Sequence, residues 1–318
     1  MVTSNTSTPH QDYLHSYRFQ WRFLLPNYWG VWLLFTLLFI IGRLPLPALI
    51  GLGKLIGRLF YRIGGSRLRI TQTNIRLCFP ELTAEEQEQL IRKNYEALGF
   101  ALLEPGLIWW CSLGRLKRIS RVSGYEEHIK PLLARGKGVI LFGVHMTCIE
   151  AIARLAGVSG VAYNILYRVH DNALYEYLTG VMRRRTLGRF IPRKEVKSML
   201  RFVNQGEIGI ILPDQDMGRK RSIWTPFFGI PAATIPVTSD YAQQTGATVA
   251  MIQYYRDERG HYVLDFSPPL DNFPTGNLEA DTLRVNGMIE GFIRQHPEQY
   301  LWQHRRFKHR PEGEAKLY

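Results

Sequence analysis

His145 and Glu150 are the residues of this 318-residue chain whose types and spacing best suit joint chemistry. A carboxylate bonded to one ring nitrogen of an imidazole fixes its tautomer. The other nitrogen is then free to take a proton from a hydroxyl. On one continuous helix, residues five apart point about 140° away from each other. The pair therefore meets only if His145 sits in the turn before a helix and Glu150 lies in its first turns. Taken alone, the two residues are explained at least as well by a capping or core histidine.

The other candidates are electrostatic. Arg183-Arg184-Arg185, Arg219-Lys220-Arg221 and Arg305-Arg306-Phe307-Lys308 are basic clusters, and Asp214-Gln215-Asp216 follows Pro213. Each has a plain structural explanation: a solvated helical face, general solubility, or a turn. Basic clusters beside a histidine also suit an anionic lipid and an acidic carrier. The chain has no GxSxG elbow, HExxH helix, Walker A loop or GxGxxG turn. Cys78, Cys111 and Cys148 show no CxxC spacing, which fits free thiols in a reducing compartment. Cys148 falls between His145 and Glu150 and reads as a small helix residue, not a nucleophile.

Alternating strands and helices must bring these side chains together. Gly138-Val-Ile-Leu-Phe-Gly-Val144 is a short continuous apolar run, as expected of a buried central strand. A helical pattern follows over 147–155, then a strand over 163–167 and a helix over 173–187. A helix over 196–204 leads to a buried strand over 208–212. A helix over 239–245 precedes a strand over 248–254, which 262–266 can pair with, and 285–295 closes as a helix. Upstream, Thr83-Ala-Glu-Glu86 is a capping box that opens a helix to about residue 98. A second helical stretch over 101–113 carries Trp109-Trp110. The pattern predicts an α/β fold with a largely parallel central sheet flanked by helices. His145 and Asp214 both fall at carboxyl ends of strands, where such sheets carry their sites.

Hydrophobic residues make up 46% of the chain, and 40 Lys and Arg against 27 Asp and Glu give a net charge of +13. That composition excludes a disordered chain and favours anionic partners. Residues 23–42 carry no charge, and twenty helical residues just cross a hydrocarbon core of ~30 Å. Pro26 and Asn27 shorten the helix, so the expectation is an anchor that spans the membrane or lies in its interface. No small-residue cleavage site follows it. Arg43, Lys54, Arg58, Arg62, Arg67 and Arg69 lie after this stretch, against Arg18 and Arg22 before it, which puts the bulk of the chain in the cytoplasm. The expected organisation is a basic tail over 1–22, the anchor over 23–42 and a catalytic domain over 43–318.

Several longer blocks carry a resemblance. They include Asn74-Ile-Arg-Leu-Cys-Phe-Pro-Glu81, Gly136-Lys-Gly-Val-Ile-Leu141 leading to His145 and Glu150, and Tyr167-Arg-Val-His-Asp-Asn172. Pro213-Asp-Gln-Asp-Met-Gly218, Pro226-Phe-Phe-Gly-Ile-Pro-Ala232, Pro297-Glu-Gln-Tyr-Leu-Trp302 and His304-Arg-Arg-Phe-Lys308 complete them. The chain resembles the late acyltransferases of lipid A biosynthesis, the lauroyl and myristoyl transferases of Gram-negative bacteria. The resemblance implies an inner-membrane enzyme with a cytoplasmic catalytic domain. It implies acyl-acyl carrier protein as donor and the 3-hydroxyl of an acyl chain on a Kdo-lipid A precursor as acceptor. No metal or organic cofactor is implied. An arginine on the helix after the Tyr-Arg block carries over to Arg183, with Arg184 and Arg185 as alternatives, and the first acid of the Asp-x-Asp block to Asp214. His145 is then the base and Glu150 its orienting carboxylate. Arg183, or backbone N–H groups near Thr147, would stabilise the oxyanion, and Asp214 would hold that arginine or a hydroxyl. Arg168, Arg184, Arg219, Arg221, Arg305 and Arg306 are the expected substrate or carrier contacts.

Rival readings are a glycerolipid acyltransferase, since His-x4-Asp/Glu alone occurs there, and a metal-dependent sugar transferase built on Asp214-x-Asp216. A non-catalytic basic membrane-binding protein is a third. Signatures of nucleic-acid binding are absent, so no nucleic-acid partner is expected.

Overall fold

The apolar stretch after Arg22 does not form one helix. The computed structural model describes residues 17–318, so the first sixteen residues of the expected basic tail lie outside the described ones. Two 3-10 turns, Trp21–Leu24 and Pro26–Tyr28, precede helix α1 (Trp29–Ile41). Pro26 has no N–H to donate and keeps Leu25 extended, so the helix starts only after it. The 13 residues of α1 reach about 20 Å, short of a hydrocarbon core. Among the described residues no helix is long and apolar enough to cross a membrane. The membrane-spanning expectation is corrected accordingly.

Helix α2 (Leu46–Ile63), α3 (Ser66–Cys78) and α4 (Ala84–Trp110) follow. The capping box at Thr83 and Glu86 is formed in full. Helix α4 runs unbroken where two helices were expected. Gly99 is no break, because it is a contact point: a Cβ there would lie 2.2 Å from the Gly53 carbonyl oxygen and 2.4 Å from the Gly57 nitrogen of α2. Helix α1 packs on α4 as well. Phe35 stacks on Trp109 at 5.5 Å between ring centroids, and Gly42 abuts the Gly106 backbone.

The remaining elements are α5 (Leu113–Arg118), β1 (Ser120–Ser123), α6 (Lys130–Ala134), β2 (Val139–Phe142), α7 (Ile149–Val158), β3 (Tyr163–Tyr167) and α8 (Ala173–Arg183). Then come β4 (Gly188–Pro192), α9 (Val196–Asn204), β5 (Ile208–Ile211), β6 (Ile223–Phe227), β7 (Ile230–Thr234), α10 (Val237–Thr245), β8 (Thr248–Arg256), β9 (Tyr262–Pro269) and α11 (Leu278–Gln295). Seven strands form one sheet in the order β1-β9-β8-β2-β5-β3-β4, parallel except where β8 meets β9. This is the expected α/β architecture with a mostly parallel sheet. Strands β6 and β7 make a separate antiparallel hairpin.

Strands β2 and β5 are buried at every position, as central strands covered on both faces must be. They lie side by side in register, Val139 opposite Ile208 and Phe142 opposite Ile211. His145 and Asp214 each follow the last of those paired residues at the same remove. The register thus delivers both to one spot at the carboxyl edge of the sheet.

Candidate active site

The His145 ring bonds Asp214, with 2.7 Å between Nδ1 and Oδ1, and the His145 backbone N–H donates to Oδ2 at 3.1 Å. The Asp214 side chain is wholly buried, while the His145 side chain is 23% exposed, enough to meet a substrate. Burial alone would push the Asp214 carboxyl up. The His145 charge and hydrogen bonds outweigh it and hold the carboxyl below the usual carboxylate range. An ionised carboxylate only accepts, so Nδ1 carries a proton toward Asp214, and in the neutral ring Nε2 is the nitrogen left to accept.

Neighbours fix the turn that carries the ring. Tyr254 donates its hydroxyl to the Val144 carbonyl. Leu301 N–H donates to the His145 carbonyl at 2.9 Å, and Met146 pairs with Tyr300. Burial, aided by the Asp214 charge, keeps the Tyr300 hydroxyl protonated. Cys148 is sealed in, its thiol pushed up to about 12 by burial, which matches its reading as a packing residue.

Glu150 is not the partner of His145. It lies in the first turn of α7 and faces a recess lined by Trp109, Arg154, His170, Tyr175, Arg183 and Phe190. Desolvation in that recess raises its carboxyl, and the Arg183 charge lowers it in part. The carboxylate on the His145 ring is thus Asp214 and not Glu150; of the two partners expected for Asp214, an arginine or a hydroxyl, the hydroxyl is met in Tyr300. The Thr147 N–H is likewise unavailable to an oxyanion, because it donates to the Gln299 carbonyl at 2.7 Å.

The arginine triplet separates. The Arg183 guanidinium lies 4.3 Å from the Tyr167 ring centre and 4.7 Å from that of Phe190. Its Nη1 makes no hydrogen bond among the described residues and has the Glu176 carboxylate 3.9 Å away. Arg184 donates to the Tyr17 carbonyl and Arg185 to that of Trp109. Only Arg183 of the three faces the recess with Glu150.

The expected substrate contacts divide in the same way. Arg221 and Arg305 are exposed. Arg168 is exposed and bonds Asp171 at 3.0 Å. Arg219 is exposed and donates to the Arg310 carbonyl. Arg306 is a correction: it is 2% exposed and donates to the Ala233 carbonyl and to Thr234 Oγ1, so it braces β7 from within and does not face a ligand.

Asp216 was read only as half of an Asp-x-Asp pair. It clamps His309 as Asp214 clamps His145, with Oδ1 2.7 Å from the ring Nδ1 and Oδ2 accepting the backbone N–H at 2.9 Å. Both acids are thus committed to histidines. Among the described residues no group of three or more His, Cys, Asp and Glu side chains is arranged to hold a metal ion. The geometry does not form the metal-nucleotide motif of the sugar-transferase reading. Sequence reasoning missed the His309 partnership. Its one signal was that Asp216 and the two histidines His304 and His309 were left without assigned roles.

A buried aspartate that fixes an imidazole at the carboxyl edge of a parallel sheet is an arrangement able to draw a proton from a hydroxyl. The comparisons give the family. The family model for bacterial lipid A biosynthesis acyltransferase matches residues 16–309. Lipid A biosynthesis lauroyltransferase and palmitoleoyltransferase of Escherichia coli (strain K12) are each 34% identical over 303 residues, covering 95% of this chain and 98% of theirs. The myristoyltransferase of the same strain is 29% identical over 94% of this chain and 93% of its own. A solved structure of 1-acyl-sn-glycerophosphate acyltransferase from Thermotoga maritima is 12% identical with a TM-score of 0.36, covering 73% of this chain and 96% of that one, a likeness too loose to carry an argument. The chain belongs to the bacterial lipid A biosynthesis acyltransferase family, and it is an acyltransferase.

Proposed function

We propose that this protein transfers a fatty acyl chain of the lauroyl or myristoyl class from acyl-acyl carrier protein to a hydroxyacyl 3-OH of a Kdo-lipid A precursor. The observation that carries the reading is the Asp214–His145 clamp in a chain of this family. Nε2 of His145 takes the acceptor hydroxyl proton as its oxygen attacks the thioester carbonyl. Asp214 stabilises the imidazolium that forms. The C–S bond then breaks, and the imidazolium returns its proton to the leaving thiolate. Arg183, with Nη1 unsatisfied and Glu150 beside it, offers charge to the developing oxyanion. Arg168, Arg184, Arg219, Arg221 and Arg305 contact the anionic acceptor or the acidic carrier. Mass spectrometry of lipid A from cells with and without the protein tests the reading. Loss of one or two acyl units supports it, and unchanged lipid A contradicts it.

The same chain docks at the inner membrane in the interface, with the catalytic domain facing the cytoplasm. Helix α2 supports this. Its glycines Gly53 and Gly57 face inward against α4, which turns Leu55, Leu59, Phe60 and Ile63 outward beside Lys54, Arg58 and Arg62. Trp21, Trp29, Leu33, Leu37 and Ile40 are further exposed apolar side chains upstream of it. Exposed apolar residues rimmed by cations are the surface an interfacial protein presents to anionic lipid.

A further inference from the structure

Arg256 closes β8 in full burial, and its contacts lead to the catalytic turn. Nη1 donates to Glu104 Oε1 of α4 at 3.0 Å. Nη2 donates to Thr147 Oγ1 at 2.6 Å and to the Ala97 carbonyl at 3.2 Å. The guanidinium lies 4.7 Å from the Phe100 ring centre. The Arg256 backbone is also engaged. Its N–H donates to Gln299 Oε1, and its carbonyl accepts from Gln299 Nε2, each at 2.9 Å. Gln299 in turn accepts the Thr147 N–H on its own carbonyl. Thr147, two residues past His145, is thus gripped twice: on its hydroxyl by the guanidinium, and on its backbone by the glutamine that Arg256 holds.

A buried ion pair is weak evidence for stability, because desolvation offsets most of the attraction. Its value here is geometric. A planar guanidinium fork fixes its acceptors in direction as well as distance. Glu104 lies against the cation at 3.0 Å; burial pushes its carboxyl up to about 7, and the Arg256 charge opposes that rise in part.

We propose that Arg256, with Glu104 as counter-charge, is a positioning residue for His145. It holds the 145–148 turn through Thr147 and Gln299, so that the imidazole keeps the register Asp214 requires. The inference rests on the reading of His145 as base. A misplacement of about 1 Å from a change outside the chemistry can cost on the order of 10²-fold in rate.

Arg256 variants risk folding, so the test centres on Thr147. Thr147→Val keeps the shape and removes the acceptor of the guanidinium; Thr147→Ser retains it. Two readouts are taken on the full chain: the ¹⁵N signals of the His145 ring, assigned against a His145→Gln protein, and the kcat and KM of acyl transfer. Thr147→Val is expected to broaden or split the ring signal and lower kcat by about 10- to 100-fold, with KM little changed and the protein still folded at the assay temperature. Thr147→Ser is expected to restore both. A Thr147→Val protein with the wild-type ring signal and wild-type kcat overturns the proposal, as does a Thr147→Ser protein as impaired as the valine one. The ring signal separates this from the underlying reading. If His145→Ala retains turnover, the base role fails, while the Thr147→Val spectrum still reports whether Arg256 holds the imidazole.

Discussion

Asp214 holds His145 at two points, one oxygen on the ring Nδ1 at 2.7 Å and the other on the backbone N–H at 3.1 Å. One point would fix the tautomer. Two points also fix the ring plane relative to the backbone, which is what a base needs to meet a hydroxyl repeatedly in one geometry. The carboxylate stays ionised because the contacts to His145 outweigh its burial.

Asp214→Asn replaces one of the two acceptor oxygens with an NH2 donor and removes the charge that favours the Nδ1–H tautomer. Acyl transfer is expected to fall by about 10²–10⁴-fold. Glu150→Gln, which leaves the His145 clamp intact, is expected to lose less. Steady-state kinetics of the two purified variants give the ranking, and the opposite order would return the orienting role to Glu150.

Arg305 and Arg306 are neighbours in sequence and opposites in space. Arg306→Ala leaves the Ala233 carbonyl and Thr234 hydroxyl without their donor and opens a cavity, an expected loss of about 2–4 kcal/mol in stability. Arg305→Ala removes an exposed cation and is expected to raise KM with an unchanged melting temperature. Unfolding curves and KM values for the pair distinguish the two roles.

Interfacial docking gives a further test. Replacing Trp29, Leu33 and Leu37 together with serine is expected to reduce cosedimentation with anionic phospholipid vesicles, without lowering the melting temperature. Each side chain projects from α1 with substantial exposure, so none braces the core. Undiminished vesicle binding would remove this face from the membrane contact.

The parts legible in the sequence were those that local pattern encodes. The buried runs at Val139–Phe142 and Ile208–Ile211 read as central strands because nothing polar interrupts them. The capping box at Thr83 marked a helix start because its hydrogen bonds are local. Strands β1, β4, β6 and β7 were missed. They are short and mix polar or proline residues into their runs, as in Ile223-Trp-Thr-Pro-Phe227, so tertiary pairing and not propensity makes them strands. The site was half legible. His145 and Asp214 could each be placed at a strand end, but their bond spans 69 residues and depends on the β2–β5 register. Spacing of five pointed to Glu150, which the start of α7 turns toward Arg183 instead. In the anchor, the apolar run and the shortening by Pro26 were both readable, but the packing of Phe35 on Trp109 was not.

The most direct test of the account is the rate of acyl transfer by purified His145→Ala protein, given acyl-acyl carrier protein and a Kdo-lipid A precursor. The account predicts a folded protein whose transfer rate is lower by about 10²–10⁴-fold. A folded His145→Ala protein that transfers acyl chains at a near-normal rate would contradict it.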